Sequence, residues 1–312
     1  MTGPRVVGVR QAEGMSTAER EVDADGAIRG VIRMTAFAET ADGGNPAGVV
    51  LDASGLDDAA MLRIAREVGF SETAFVVGEP GAAGEQPRRY AVRYFSPGAE
   101  VPFCGHATVA TAAVLAEHDG AGAMVFETRA GDVGVASTST PDGEIEIAMT
   151  SVEPTVRELS PEVLATLLEL LGLTETDLDP RLPAREAFAG NWHPIITLAD
   201  QRTFDAFTFD PAPVAALMTE HGWAGTVTVQ HELESGLFAA RNLFPVGAIT
   251  EDPATGSAAA ATGAYLREIG YAEQHPRVTI RQGAHVGRPS RLDVTIPAAG
   301  GITVTGRATR MD

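Results

Sequence analysis

Three short polar segments of this 312-residue chain carry side chains able to move a proton, and each borders a run of apolar or small residues. The first is Phe70-Ser71-Glu72-Thr73-Ala74-Phe75-Val76, with Glu72 just ahead of an apolar strand. The second is Cys104-Gly105-His106-Ala107-Thr108, and the third is Glu251-Asp252-Pro253-Ala254-Thr255-Gly256-Ser257-Ala258. A carboxylate can take and return protons, and partial burial brings its pKa toward neutrality, where such catalysis is efficient. A thiolate at a helix N-terminus has a lowered pKa and can act as a base. Taken singly, each residue also admits an ordinary structural role. Glu72 can be a surface or capping acid, Asp252 a helix cap, His106 a hydrogen-bonded core histidine and Cys104 a small buried hydrophobe.

An internal repeat ties the second and third segments together. Pro102 to Glu117 lies without gaps over Pro253 to Glu268, with the Pro, Gly, Ala, Ala-Thr, Ala, Leu and Glu identical. Just upstream, Arg93-Tyr-Phe-Ser-Pro97 resembles Arg241-Asn-Leu-Phe-Pro245. Both repeat cores continue as helices without a charged face until their ends, Ala107–Leu115 and Ala258–Leu266. A helix apolar all round is buried on every side. At about nine residues, or ~14 Å, each is too short to span a bilayer. The expected picture is a central helix wrapped by the sheet of its own half, once per repeat. The N-terminus of such a helix presents unpaired N–H groups and the positive end of its dipole. Two of them facing one cleft would hold a carboxylate or an enolate-like anion.

The elements that must position these residues read as short strands with a few helices. Strands are expected at Val31–Phe37, Arg89–Phe95, Met124–Arg129, Glu144–Met149, Thr226–Gln230, Leu237–Leu243, Val278–Gln282, Leu292–Ile296 and Ile302–Thr309, many alternating polar and apolar residues. Helical spacing marks Leu56–Val68 and Pro161–Leu171 and, more weakly, Ala212–His221. The expected class is α+β with mainly antiparallel sheet: two similar domains at residues 31–153 and 154–312, the last strand crossing back to the first domain. Residues 1–30, rich in Gly, Glu, Asp and Ala, read as a poorly packed tail.

The motifs Gly44-Asn45-Pro46-Ala47, Ser71-Glu72-Thr73, Arg93-Tyr94-Phe95-Ser96-Pro97, Cys104-Gly105-His106-Ala107-Thr108, Asp252-Pro253-Ala254-Thr255-Gly256-Ser257-Ala258 and Gln282-Gly283…Gly287-Arg288-Pro289-Ser290 occur in this order. Together they resemble the PhzF-like family of phenazine-biosynthesis isomerases, within the diaminopimelate epimerase fold. The resemblance runs from about residue 31 to 308. It implies two similar domains with the active site between them, no cofactor and a homodimer. It also implies Glu72 as the acid/base that shuttles a proton between substrate carbons, assisted by His106 and Asp252. Ser71, Cys104, Gly105, Thr255, Gly256 and Ser257 would then surround the substrate.

Two-cysteine racemases of the same fold place a thiol at the head of each central helix, where this chain has Cys104 and Thr255. A threonine is a poor carbon-acid base, so a symmetrical two-thiol racemisation is not available. Two alternatives remain open: a lyase (dehydratase) or epimerase in which Cys104 abstracts the proton, and a non-catalytic metabolite-binding protein.

Composition narrows the chemistry further. A net charge of −19 argues against nucleic acid and anionic membrane surfaces as partners. All 23 basic residues are arginine, so Schiff-base chemistry on a lysine and a Walker A loop are excluded. The single cysteine precludes an intramolecular disulfide and fits a reducing cytoplasm. The seven histidines lack His-x-x-x-His spacing and there is no Cys-x-x-Cys, so no metal site is expected. The sequence thus leads to a cytoplasmic, cofactor-independent isomerase acting on a small carboxylate-bearing metabolite.

Overall fold

The computed structural model describes residues 30–78, 87–247 and 249–311. Most of the expected N-terminal tail lies outside the described residues.

The first half runs β1 (Ile32–Ala36), β2 (Asn45–Val50), α1 (Asp58–Val68), β3 (Glu72–Val76), β4 (Arg88–Phe95), β5 (Glu100–Val101), α2 (Gly105–Asp119), β6 (Ala123–Thr128), β7 (Gly131–Ser139) and β8 (Ile145–Thr150). The second half runs β9 (Thr155–Glu158), α3 (Pro161–Leu170), β10 (Arg185–Phe188), β11 (Trp192–Leu198), α4 (Gln201–Ala206), α5 (Pro211–Glu220), β12 (Val227–Glu234) and β13 (Leu237–Leu243). It ends with β14 (Glu251–Asp252), α6 (Gly256–Glu268), β15 (Arg277–Gln282), β16 (Ser290–Thr295) and β17 (Thr303–Arg310).

The sequence repeat is a repeat of connectivity. In the first half β2 and β3 pair in parallel across α1, and β4 and β6 pair in parallel across α2. In the second, β11 and β12 pair in parallel across α4 and α5, and β13 and β15 do so across α6. The remaining pairings among named strands are antiparallel. Strands β1-β2-β3-β4-β6-β7-β8-β17 close a ring, because β17 pairs with β8 at one end and with β1 at the other. A second run, β9-β10-β11-β12-β13-β15-β16-β17, borders α6. The chain after β8 thus enters the second run as β9, while β17 ends that run and completes the first ring.

Helix α2 is buried from His106 to Ala116 and packs on β1, β2, β3, β7, β8 and β17. Helix α6 is buried over Gly256 and from Ala258 to Leu266, and packs on β9, β10, β11, β16 and β17. Small side chains make this possible: Ala107, Ala110 and Ala113, and Ala258, Ala261 and Ala264, let strands approach the helix axis. At Gly263 an added Cβ would lie 2.7 Å from Ile302 and 2.9 Å from Val294, so this turn of α6 has no room for alanine.

The outer helices follow ordinary rules. Asp57 caps α1 by accepting from Ala60 N, and Gly69 ends the helix in the left-handed conformation. Ser160 and Asp210 cap α3 and α5, each followed by a first-turn proline. No helix among the described residues is long and apolar enough to cross a membrane.

Candidate active site

The two central helices differ from the capped outer ones at their first turns. Neither Cys104 nor Thr255, at the N-cap positions of α2 and α6, gives its side chain to cap the helix. The Thr255 hydroxyl turns instead to the Asp252 carboxylate and receives Gln282 Nε2 at 2.9 Å. The helix-cap reading of Asp252 is corrected: the residue belongs to β14, and Thr255 takes the N-cap position of α6. Both first turns lie against one residue. A Cβ built on Gly105 or on Gly256 would sit 3.5 Å from the Met149 methyl in either case. The N-termini of α2 and α6 therefore flank a shared apolar spacer, to which the Phe37 ring contributes on the Gly256 side.

Glu72, Cys104 and His106 meet here. Glu72 opens β3, which pairs with β2 and β4 and so brings the carboxylate to the head of α2. His106 Nε2 lies 3.3 Å from Glu72 Oε2 and 3.3 Å from Ser71 Oγ. The Cys104 thiol donates to Glu72 Oε2 at 3.5 Å and sits 3.4 Å from His106 Nδ1. Asp252 comes from the other half and lies close enough for the charges of His106 and Glu72 to act on it. Ser257 is held from behind by His193 Nε2 at 3.2 Å. All nine expected site residues thus stand at or beside the two helix heads. Cys104 and His106 are buried, whereas Ser71, Glu72, Gly105, Asp252, Thr255 and Ser257 are half-buried and Gly256 is buried.

Electrostatics separates the candidate bases. Burial and then the adjacent Glu72 carboxylate push the Cys104 thiol well above its ordinary value. This reverses the sequence expectation of an acidified thiol, since desolvation and a like charge outweigh the helix terminus. Burial also raises Asp252, against the lowering effects of His106 and of hydrogen bonds from Thr255 and Asn45.

Three further side chains organise the site and had no role assigned from sequence. Asn45, on β2, spans the two halves by donating Nδ2 to Asp252 Oδ1 at 2.8 Å and to Ala254 O at 3.0 Å. Gln282, at the end of β15, donates to Asp252 O at 2.6 Å and accepts from Thr255 N at 3.2 Å. Asn45 and Gln282 lie within motifs already singled out, so a signal existed but their partners could not be read. His193 lies in β11, where no strand was expected, and its ring fills the space that a side chain at Gly225 would need.

His193 gives a pH signature. Burial pushes it down to about 4 from 6.5. Below pH 6.5 the unfolded chain binds a proton that the folded chain refuses, so this residue lowers stability as pH falls toward 4. Denaturant unfolding across that window is expected to lose ~3 kcal/mol from this group, and His193→Gln should flatten the slope accordingly. An unchanged slope in the variant would contradict a neutral, buried ring.

Residues 34–312 match the family model described as phenazine biosynthesis-like protein, PhzC-PhzF. The chain belongs to that family. Among its PhzF relatives, the uncharacterized isomerase YfhB of Bacillus subtilis is 30% identical, over 89% of this chain and 95% of its own. The trans-2,3-dihydro-3-hydroxyanthranilate isomerase of Pseudomonas chlororaphis is also 30% identical, over 82% of this chain and 86% of its own. A crystal structure of a Bacillus anthracis PhzF-family protein superposes with a TM-score of 0.75 at 27% identity, covering 90% of this chain and 96% of that one. The chain thus has the mixed α/β PhzF fold, and isomerase is its enzyme class.

Proposed function

We propose that this PhzF-family isomerase moves a proton within a small carboxylate-bearing metabolite, without a cofactor, in a cleft between two similar domains. The domains are residues 31–153 and 154–312, with β17 crossing back to the first, and the active unit is a homodimer. One observation carries the reading: Glu72, His106 and Asp252 converge on two helix N-termini whose N-cap side chains are turned to other partners.

Glu72 removes a proton from an acidified C–H, leaving an enolate-like anion. The first-turn N–H groups at Gly105 and Gly256 hold that anion, with the Ser257 hydroxyl beside them. The protonated Glu72 returns its proton to a different carbon of the same molecule. His106 and Asp252 orient the substrate and stabilise its charge. Burial raises the Asp252 carboxyl, whose two oxygens accept from Asn45 and Thr255. Trans-2,3-dihydro-3-hydroxyanthranilate, the compound in the name of the Pseudomonas relative, is a sensible first member of a substrate panel.

Incubating the enzyme in deuterated water with a panel of cyclic and acyclic carboxylates tests the reading. The expected product is an isomer of unchanged composition, with deuterium introduced at no more than the carbon that receives the proton. Loss of water from every substrate that reacts would instead indicate a lyase. The lyase alternative needs a Cys104 thiolate, which burial and Glu72 oppose. Cys104→Ser is accordingly expected to keep turnover within about tenfold, whereas a Cys104-based lyase would lose at least ~100-fold.

A further inference from the structure

We propose that the buried Arg241–Glu251 ion pair is the positioning element for Asp252: it grips β14 from the face opposite Asp252 and so aims that acid at Asn45 and the head of α6. Glu251 and Asp252 are the two residues of β14. Successive side chains of a strand leave on opposite faces, so whatever holds Glu251 sets the direction of Asp252. Arg241 Nη2 donates to Glu251 Oε1 at 2.5 Å, and its Nε faces both carboxylate oxygens at 3.2 and 3.3 Å. Each of the two side chains is only 8% exposed. A guanidinium gripping a carboxylate through two nitrogens fixes angle as well as distance. The arginine is itself immobilised. Its Nη1 donates to Phe207 O at 2.9 Å and Phe204 O at 3.3 Å, and its guanidinium carbon lies 3.8 Å over the Phe207 ring.

The backbone of β14 does not supply this orientation by itself. The strand pairs with β13 at two positions, Asn242↔Asp252 and Leu243↔Glu251. A strand so short can roll about its own axis, and a roll would carry Asp252 Oδ1 off Asn45 Nδ2, now 2.8 Å away. The ion pair on the far face opposes that roll. The same device precedes the other central helix. Arg93 lies diagonally across from Glu100, in the register Phe95↔Glu100 that matches Leu243↔Glu251, and donates to both carboxylate oxygens at 2.8 and 2.7 Å. Each glutamate stands four residues before its N-cap, Cys104 or Thr255. This gives a purpose to the matched Arg93 and Arg241 segments upstream of the repeat, which the proton chemistry leaves unused. The halves differ in what the device carries: the residue after the glutamate is Val101 in the first and Asp252 in the second. The first pair is also more open, at 20% and 12% exposure, and is shared with Asp58 and Arg129.

The test separates aim from stability. Removing one partner of a buried pair leaves a lone buried charge, whereas replacing both with apolar residues of similar volume is often neutral for folding. The full chain is therefore made as Arg241→Met with Glu251→Leu, alone and combined with Asp252→Asn, and circular dichroism checks that each is folded at the assay temperature. Glu251→Gln, which keeps the shape and a hydrogen bond to Arg241, is the milder second variant. The expected result is a kcat/KM for isomerisation at least ~tenfold below wild type for the paired replacement, and a smaller loss for Glu251→Gln. In the Asp252→Asn background both losses should shrink below ~twofold, because a pair that acts through Asp252 then has nothing to aim. Losses of the same size in both backgrounds overturn the proposal. A crystal structure of the paired replacement gives a readout independent of turnover. Asp252 Oδ1 is expected beyond hydrogen-bond reach of Asn45 Nδ2, and retention of the 2.8 Å bond overturns the proposal. The loss of activity rests on the function proposed for Asp252, and the displacement does not. An Asp252 displaced in the crystal without any effect on turnover would leave the ion pair's role standing and overturn the role of Asp252 in the reaction.

Discussion

Glu72→Gln is expected to lower kcat for isomerisation at least ~100-fold while leaving KM within a few-fold. The amide occupies nearly the same volume as the carboxylate and can still accept from the Cys104 thiol, so packing around the head of α2 is preserved. It cannot accept a proton from carbon at neutral pH. A hundredfold loss corresponds to ~2.7 kcal/mol of transition-state stabilisation, within what one positioned base supplies. Incorporation of solvent deuterium into product should fall in parallel, because both depend on the same proton transfer. An enzyme that still exchanges deuterium at its original rate after this substitution does not use Glu72 as its base.

Gly44→Ala should be among the most damaging small substitutions in the fold, costing ~3 kcal/mol or more in denaturant unfolding. Gly44 has φ +76, in the left-handed region, and its missing Cβ would fall 2.4 Å from Thr35 Oγ1 and 2.6 Å from the Ala36 carbonyl oxygen. The carbonyl belongs to β1, which is paired on both sides and cannot withdraw. Gly44 O also accepts from Arg288 Nε at 2.6 Å, so the segment is pinned from the second half of the chain as well. The next residue is Asn45, whose amide holds Asp252, so activity should fall in the fraction that remains folded. Gly69→Ala is the matched comparison. It has φ +72 but open space around the missing Cβ, and only the backbone penalty of ~1 kcal/mol is expected. Equal costs at the two positions would refute the steric part of the argument.

The chemical side chains were easier to read from sequence than the scaffold that holds them. Glu72, Cys104, His106, Asp252 and Thr255 sit at boundaries between polar and apolar segments, and an apolar helix must start somewhere near water. The repeat identified α2 and α6 because a helix without a polar face has a distinctive composition, and the helices extend two residues before the expected starts at Ala107 and Ala258. Strand β11, Trp192-His193-Pro194-Ile195-Ile196-Thr197-Leu198, was missed for physical reasons. It is buried from His193 to Leu198 and so does not alternate, and it contains a proline. Strand β2 hides similarly behind Pro46 and Gly48. Strand β7 failed in the opposite way, since much of it is exposed and its small polar residues read as loop. The second layer of the site was illegible because its bonds join residues 45 and 252, 193 and 257, or 255 and 282. Such pairings are fixed by register, which no local pattern specifies. The Cys104 pKa was misread because burial, its larger cause, and the Glu72 carboxylate on β3 both come from tertiary packing.

The ring around α2 has a consequence for biosynthesis. Its last stave, residues 303–310, is translated more than 150 residues after β8. At ~5–20 residues per second the nascent chain spends roughly 10–30 s with seven of the eight staves made and the eighth missing. During that interval the small-residue flank of α2 that packs against β17 has no native cover. Until β17 is made, that flank is open to non-native association, and a holdase covering it would act in this interval.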